Sequence, residues 1–311
     1  MKYVGLQSQI SSNNTRSLLL LIAFPLLIFI AVYAFCFFMF QPNWEEVNFT
    51  FLSYIPFVVV GVLVWFFIAF KMHTSLIQMA TKSKPLERKE NMRIYNLTEN
   101  LCMSVGMKMP QLYVIESQAL NAFASGINEK TFAVTLTRGI IKRLDDDELE
   151  GVIAHELSHI RNKDVRLLII TIIFVGIFSF AVQLLFRSVL YGGAGRRKSN
   201  NGKDNGGAAI LIMLLIAVVV YALSIVFKFA LSRKREYLAD AGAVEMTHRP
   251  LAMASALRKI SGHSDIETKS EDVKQMFIDN SESTKGFMAQ ISGVFATHPP
   301  IEKRIAVLEQ M

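Results

Sequence analysis

Four stretches of this sequence, residues 17–40, 51–70, 167–186 and 208–227, are apolar runs about as long as a bilayer is thick. A backbone in lipid must satisfy its own N–H and C=O groups, so each run is restricted to a helix. The wider composition agrees: 52% of the 311 residues are hydrophobic and 19% are charged, too apolar for an ordinary soluble domain. The first run is too long for a signal-peptide core and lacks a small-x-small cleavage site. It reads as an uncleaved anchor.

Charge placement gives an orientation. The loop over residues 41–50 carries Glu45 and Glu46 and no basic residue, whereas Lys71, Lys82, Lys84, Arg88 and Lys89 follow the second run. Basic residues stay on the cytoplasmic side, which places the N-terminus and the chain after residue 71 there. The Gly/Asn-rich loop between the third and fourth runs breaks this pattern. Arg187, Arg196, Arg197, Lys198 and Lys203 face only Asp204. Either the first two spans set the topology and this hairpin obeys them, or the hairpin stays partly on the cytoplasmic side; we adopt the spanning reading. Both arrangements return the chain to the side it left. The net charge of +7 fits orientation against an anionic leaflet. No basic run interleaved with aromatics suggests a nucleic-acid surface. Cys36 and Cys102 form no metal pair or disulfide framework and read as buried small apolar side chains.

Between and after the runs the patterning is that of a folded α+β domain. Residues 85–106 have helical spacing and stop at Gly106. Residues 111–116, 119–125 and 131–135 read as extended pieces, with a turn at 126–130. A short helix over 138–144 leads to residues 145–164, DDDELEGVIAHELSHIRNKD. Asp145 with Glu148 three residues on is a capping-box arrangement, and Leu149, Val152, Ile153 and Ile160 supply an apolar face. After the fourth run, 232–243 continues as a helix, Pro250 ends it or opens another over 251–260, and 261–285 reads as a mobile loop around a short helix. A turn at Pro299-Pro300 precedes a final amphipathic helix. The expected organisation is an anchor of two spans (1–70), a first catalytic part (71–166), a hydrophobic hairpin (167–231) and a second catalytic part (232–311).

The chemistry lies in the 145–164 helix. His155 and His159 are four residues apart, about 40° around a helix axis, so both imidazoles point to one side. That spacing lets two ring nitrogens take adjacent corners of a zinc tetrahedron, and Glu156 can reach a water on the open corner as general base. Three fixed positions arise by chance in roughly one chain in a hundred of this length, so the context matters. A third protein ligand is needed, and Glu236 is the candidate. It lies 77 residues after His159, on the helix that the hairpin returns to the same membrane face. Asp240, one turn on, could accept the distal N–H of a ligating histidine. Taken alone, REYLAD would be a charged, solvated helix face; beside a two-histidine helix it becomes the completing segment.

HELSH, two hydrophobic segments, SRKREYLAD and HPPIEKRI together resemble the HtpX-type membrane zinc metalloproteases, relatives of the CAAX prenyl proteases among the HExxH-plus-Glu zincins. The match covers nearly the whole chain. Length and span number resemble the bacterial quality-control branch; CAAX proteases are longer, with more spans. The resemblance implies a mainly α membrane protein with a cytoplasmic zincin-like α+β catalytic domain and a small sheet. It implies one Zn²⁺ per chain on His155, His159 and Glu236, with Glu156 as base. It implies that Asn121 lies beside the cleft on an edge strand, contacting substrate or the oxyanion, and that His298 stabilises the transition state. Arg304 matches the motif arginine, in a substrate or structural role. It also implies a bacterial inner membrane, unfolded or damaged membrane proteins as substrates, a stress response, and functional partnership with other membrane quality-control proteases.

Two other classes compete. A di-iron oxidoreductase could use Glu156…His159 with Glu245…His248. Glu236 and Glu245, however, are nine residues apart, about 180° around one helix, and His155 would be idle. His248 then reads as a helix-end residue, and His73 and His263 as surface residues. A non-catalytic scaffold would have lost part of the set His155, Glu156, His159 and Glu236, and all four are present.

Overall fold

The computed structural model describes residues 6–40, 42–192, 206–229, 234–261, 263 and 299–311. The chain divides into two compact units. One is drawn from Met1–Thr15, Met72–Ile169 and Leu231–Met311, the other from Arg16–Lys71 and Ile170–Ala230.

The second unit is helical and apolar. It takes most of α1 (Leu6–Phe40), α2 (Trp44–Thr81) and α6 (Asp164–Gly192), and all of α7 (Gly206–Phe229). Among the described residues three helices are long and apolar enough to cross a membrane, Asn13–Phe40, Trp44–Thr81 and Asp164–Leu184; Leu211–Leu223 is a shorter apolar stretch. Phe24 stacks on Phe174 with ring centroids 4.7 Å apart, and Ile170, Phe178 and Val220 complete that core. Trp65 Nε1 donates to the Ile173 carbonyl at 3.3 Å.

The expected 41–50 loop is shorter than the sequence suggests. Helix α2 starts at Trp44 because the Asn43 side chain accepts from the Glu46 amide and caps it. The same helix runs on to Thr81, well past the apolar run. His73 is therefore mid-helix and buried, which corrects the expectation of a surface residue. His263 is exposed, as expected, and His248 (φ +55°) terminates a helix.

The first unit carries a four-stranded sheet in the order β1-β2-β4-β3. Strand β2 (Gln111–Ile115) runs parallel to β4 (Ala133–Thr137), from Gln111 opposite Ala133 to Ile115 opposite Thr137. Strand β3 (Ala122–Ser125) pairs antiparallel with β4 and forms one edge. Gly126 (φ +107°) makes the turn after β3, where an added Cβ would sit 2.3 Å from the Thr131 carbonyl oxygen. Strand β1 (Lys84–Pro85) has no sequence signature; two residues pair with Val114 and Tyr113 of β2. Helix α3 (Met92–Ser104) starts later than 85 because Asn91 caps it through the Ile94 amide.

Helix α4 (Arg138–Arg143) leads into α5 (Asp146–Arg161), where the capping box forms in both directions. The Glu148 amide donates to Asp145 Oδ1 at 2.9 Å, and the Asp145 amide to Glu148 Oε2 at 3.1 Å. Glu148 also accepts from Lys259 Nζ at 2.6 Å and Ser255 Oγ at 2.7 Å, tying α5 to α9 (Pro250–Ile260). Helix α8 (Lys234–Thr247) packs against α5. The close approach requires Gly242, since a Cβ there would lie 2.5 Å from Ser158 Oγ. The last helix, α10 (Ile301–Leu308), packs on α8 and α9. The segment read as a loop over 261–285 lies almost wholly outside the described residues.

Candidate metal centre

One face of α5 carries the site. Its interior is sealed by Leu149, Val152, Ile153 and Leu157, which puts His155 and Glu156 in the protein rather than in water. One turn apart, the two imidazoles meet edge to face with centroids 4.8 Å apart, and their Nε2 atoms are 3.2 Å from each other. Glu236 comes in from α8. Its Oε2 is 3.7 Å from His155 Nε2 and its Oε1 is 3.7 Å from His159 Nε2. Ligand atoms of His155, His159 and Glu236 all lie within 4.8 Å of one another, a grouping that could hold one metal ion.

The other nitrogen of each ring faces a carboxylate. His155 Nδ1 is 2.9 Å from Asp240 Oδ1, on α8 one turn past Glu236. His159 Nδ1 is 3.2 Å from Asp164 Oδ2. A carboxylate accepts only, so each Nδ1 carries the proton and each Nε2 lone pair is turned toward the shared point. The donor set fits a divalent metal of borderline softness: two imidazoles and a carboxylate, with both rings held in the right tautomer.

Behind Asp240 stands Arg304, from α10, with no exposed surface. Its Nε donates to Asp240 Oδ2 at 2.8 Å and its Nη2 to Asp240 Oδ1 at 2.7 Å, a two-point fork that a lysine could not make. Burial alone would raise the Asp240 carboxyl; the Arg304 charge and hydrogen bonds overcome it and hold the group at about 2. Burial likewise disfavours the His155 imidazolium, but hydrogen bonds to Asp240 and Glu236 outweigh it and push the group up to about 9. Glu156 is shifted upward by burial, against the lowering charges of the two histidines, with Glu236 adding to the rise. A hydrogen bond with the backbone of Ala124 ties this carboxylate to edge strand β3.

Each residue singled out in the sequence has a definite place except one. His155, Glu156, His159, Glu236 and Asp240 come together. Arg304 joins them as the buried partner of Asp240. Asn121 sits fully buried one residue before β3, not within the strand, its side-chain oxygen accepting from the Ala122 amide at 2.9 Å. His298 lies outside the described residues. The competing iron pair does not assemble: Glu245 is exposed and pairs with Arg161 at 3.3 Å. Two residues not singled out are drawn in. Asp164 is the first residue of α6, not the last of the histidine helix, and Asn13 of α1 bonds to it.

Comparison with known proteins agrees with this architecture. The family model for peptidase family M48 matches residues 88–311. A protease HtpX homologue of Bacteroides fragilis is 54% identical over 322 residues, covering 100% of both chains. Another from Listeria monocytogenes is 41% identical over 246 residues, covering 76% of this chain and 80% of that one. Among solved structures, Ste24p of S. mikatae shares the fold at a TM-score of 0.50 and 20% identity, covering 90% of this chain and 62% of that chain. A membrane-spanning helical region, a small mixed sheet and a His/His/Glu group, buried but for His159, thus coincide with full-length similarity to one kind of peptidase. The chain belongs to peptidase family M48 and is an integral membrane metalloprotease of the HtpX type.

Proposed function

We propose that this metalloprotease binds one zinc ion through His155, His159 and Glu236 and cleaves misfolded or damaged membrane proteins at the cytoplasmic face of a bacterial inner membrane. The observation that carries the zinc reading is the pair of Nε2 atoms turned toward Glu236 while carboxylates hold both Nδ1 atoms. Held by His155, His159 and Glu236, zinc would supply Lewis acidity, making a water more acidic and a scissile carbonyl more electrophilic.

The chain's own residues supply the rest. Glu156 takes the proton of the attacking water and hands it to the leaving amine. Strand β3 is the sheet edge beside Glu156 and is the candidate platform for an extended substrate. Main-chain bonds there would recognise backbone more than sequence, which suits a broad clearance protease. Asp240 orients His155, Asn121 helps to hold substrate or oxyanion, and His298 meets the developing charge. In this reading residues 1–70 anchor the chain, 167–231 form a hairpin, and 71–166 with 232–311 make the catalytic domain. Orientation rests on the basic residues after the second span. Action alongside other membrane quality-control proteases and a role in stress follow from the same substrate class.

The test is elemental analysis of detergent-purified protein beside cleavage of an unfolded substrate. About one zinc per chain is expected, with cleavage abolished by chelator. Glu156→Gln should keep the zinc and lower kcat at least 10³-fold. Normal turnover in that variant, or two irons per chain, would end the proposal.

A further inference from the structure

We infer that Asn13 and Asp164 are positioning residues for His159, so that the polar start of the first membrane helix is a working part of the metal centre. The inference rests on the zinc reading above and adds residues to it.

The geometry is specific. On a continuous helix Asp164, five residues after His159, would point about 140° away from it. Helix α5 instead ends at Arg161, and Lys163 takes a left-handed turn at φ +60°. That turn starts α6 at Asp164 and brings its carboxylate back onto His159 Nδ1. Lysine has no side-chain reason to favour this backbone, so the junction is held by what surrounds it. The Asn13 amide does the holding. Its Nδ2 donates to Asp164 Oδ1 at 2.6 Å and to the Asn162 carbonyl at 2.8 Å, bridging the two sides of the turn.

All three groups are out of water: Asn13 is 0% exposed, Asp164 1% and Asn162 5%. An acidic residue placed only for the α6 helix dipole would stay hydrated. Here one carboxylate oxygen is taken by the ring and the other by the amide. The arrangement parallels the opposite ring, where Arg304 holds Asp240 on His155. A neutral amide stands behind one carboxylate and a guanidinium behind the other. The helix that enters the membrane after Asn13 and the helix that enters it after Asp164 therefore meet at a ligand of the metal.

The experiment uses the full chain in detergent. Asp164→Asn and Asn13→Leu are compared with the parent by zinc competition against a chromophoric chelator. The visible spectrum of the cobalt-loaded protein and the melting of the metal-free protein are recorded alongside. Asp164→Asn should weaken zinc 10–100-fold and alter the cobalt bands. Asn13→Leu should do the same to a lesser degree, with kcat falling more than KM rises. Should Asp164→Asn fail to fold, the Asn13 variant carries the test through the same readings. Zinc affinity within threefold of the parent in the folded variants, with unchanged cobalt bands, would overturn the inference and leave a merely structural contact. A parent that binds no zinc would instead sink the proposed function.

Discussion

In the unit that carries the histidines, burial is matched by pairing: Asp240 by Arg304, Asp164 by Asn13, and Glu148 by Lys259 and its own helix start. In the membrane unit the contacts are rings and aliphatic side chains: Phe24 on Phe174, Phe66 at 5.8 Å from the same ring, Ile170, Phe178 and Val220. That unit also has an open cleft of about 550 Å³ lined by groups such as Val32, Phe57, Trp65, Phe180 and Met213. The difference teaches where each kind of interaction is decisive. Between helices in lipid, apolar contact has little advantage over lipid tails, so close packing, with hydrogen bonds such as Trp65 to Ile173, selects the arrangement. In the catalytic unit every buried charge lacking its partner would be a large penalty, so few alternative arrangements are tolerated.

Mutations can break or sharpen that contrast. The largest effect is expected for Asp240→Ala, which strips the buried Arg304 guanidinium of its two short hydrogen bonds and leaves it the longer contact to Glu236, 3.7 Å from its Nη1. A loss of about 3–5 kcal/mol in unfolding of the metal-free protein is expected. Because Asp240 is held below its ordinary 3.8, at about 2, its contribution stands in full above pH 3.8 and is lost as pH falls through 2. The same carboxylate helps to hold the His155 proton, raised to about 9, a contribution that is full below pH 6.5 and lost as pH rises toward 9, so the deficit of Asp240→Ala in the metal-free protein should be larger at pH 5 than at pH 7. A deficit equal at the two values would show that Asp240 does not support that proton.

Gly242→Ala comes next, at about 1–3 kcal/mol, because the new methyl meets Ser158 where α8 crosses α5. Ser158→Gly in the same chain should restore most of it, and a double-mutant cycle without coupling would refute the contact. In the membrane unit, Phe174→Ala removes a stacked ring but exposes the gap to lipid. About 1–2 kcal/mol is expected in a detergent unfolding titration, below the 3–5 kcal/mol of a water-soluble core. A loss at the soluble-core level would erase the contrast between the units. The smallest effect belongs to Arg249→Ala, whose half-exposed side chain pairs with Asp147 and Glu150 on the surface of α5. No more than about 1 kcal/mol is expected, vanishing in high salt.

Much of this was legible along the chain because it depends on local repeats. Run length predicts membrane helices, a four-residue spacing puts His155 and His159 on one face, and Asp145 with Glu148 marks the start of α5. Glu236 and Asp240 could be proposed because they too are one turn apart on a helix. What resisted the sequence depends on partners far away in it. Strand β1 is two residues long and exists only because β2 offers an edge. His73 is buried because α2 continues past its apolar run.

By itself, then, the sequence determined the membrane helices and the histidine pair on one face, since periodicity and spacing act within one helix. Only the tertiary structure decided how those rings are held and brought to Glu236. Arg304 reaches Asp240 across 64 residues and Asn13 reaches Asp164 across 151, and neither pairing leaves a periodic trace. The physical reason is that a buried charge is stable wherever its partner happens to be folded against it, and that place is set by packing rather than by the order of residues.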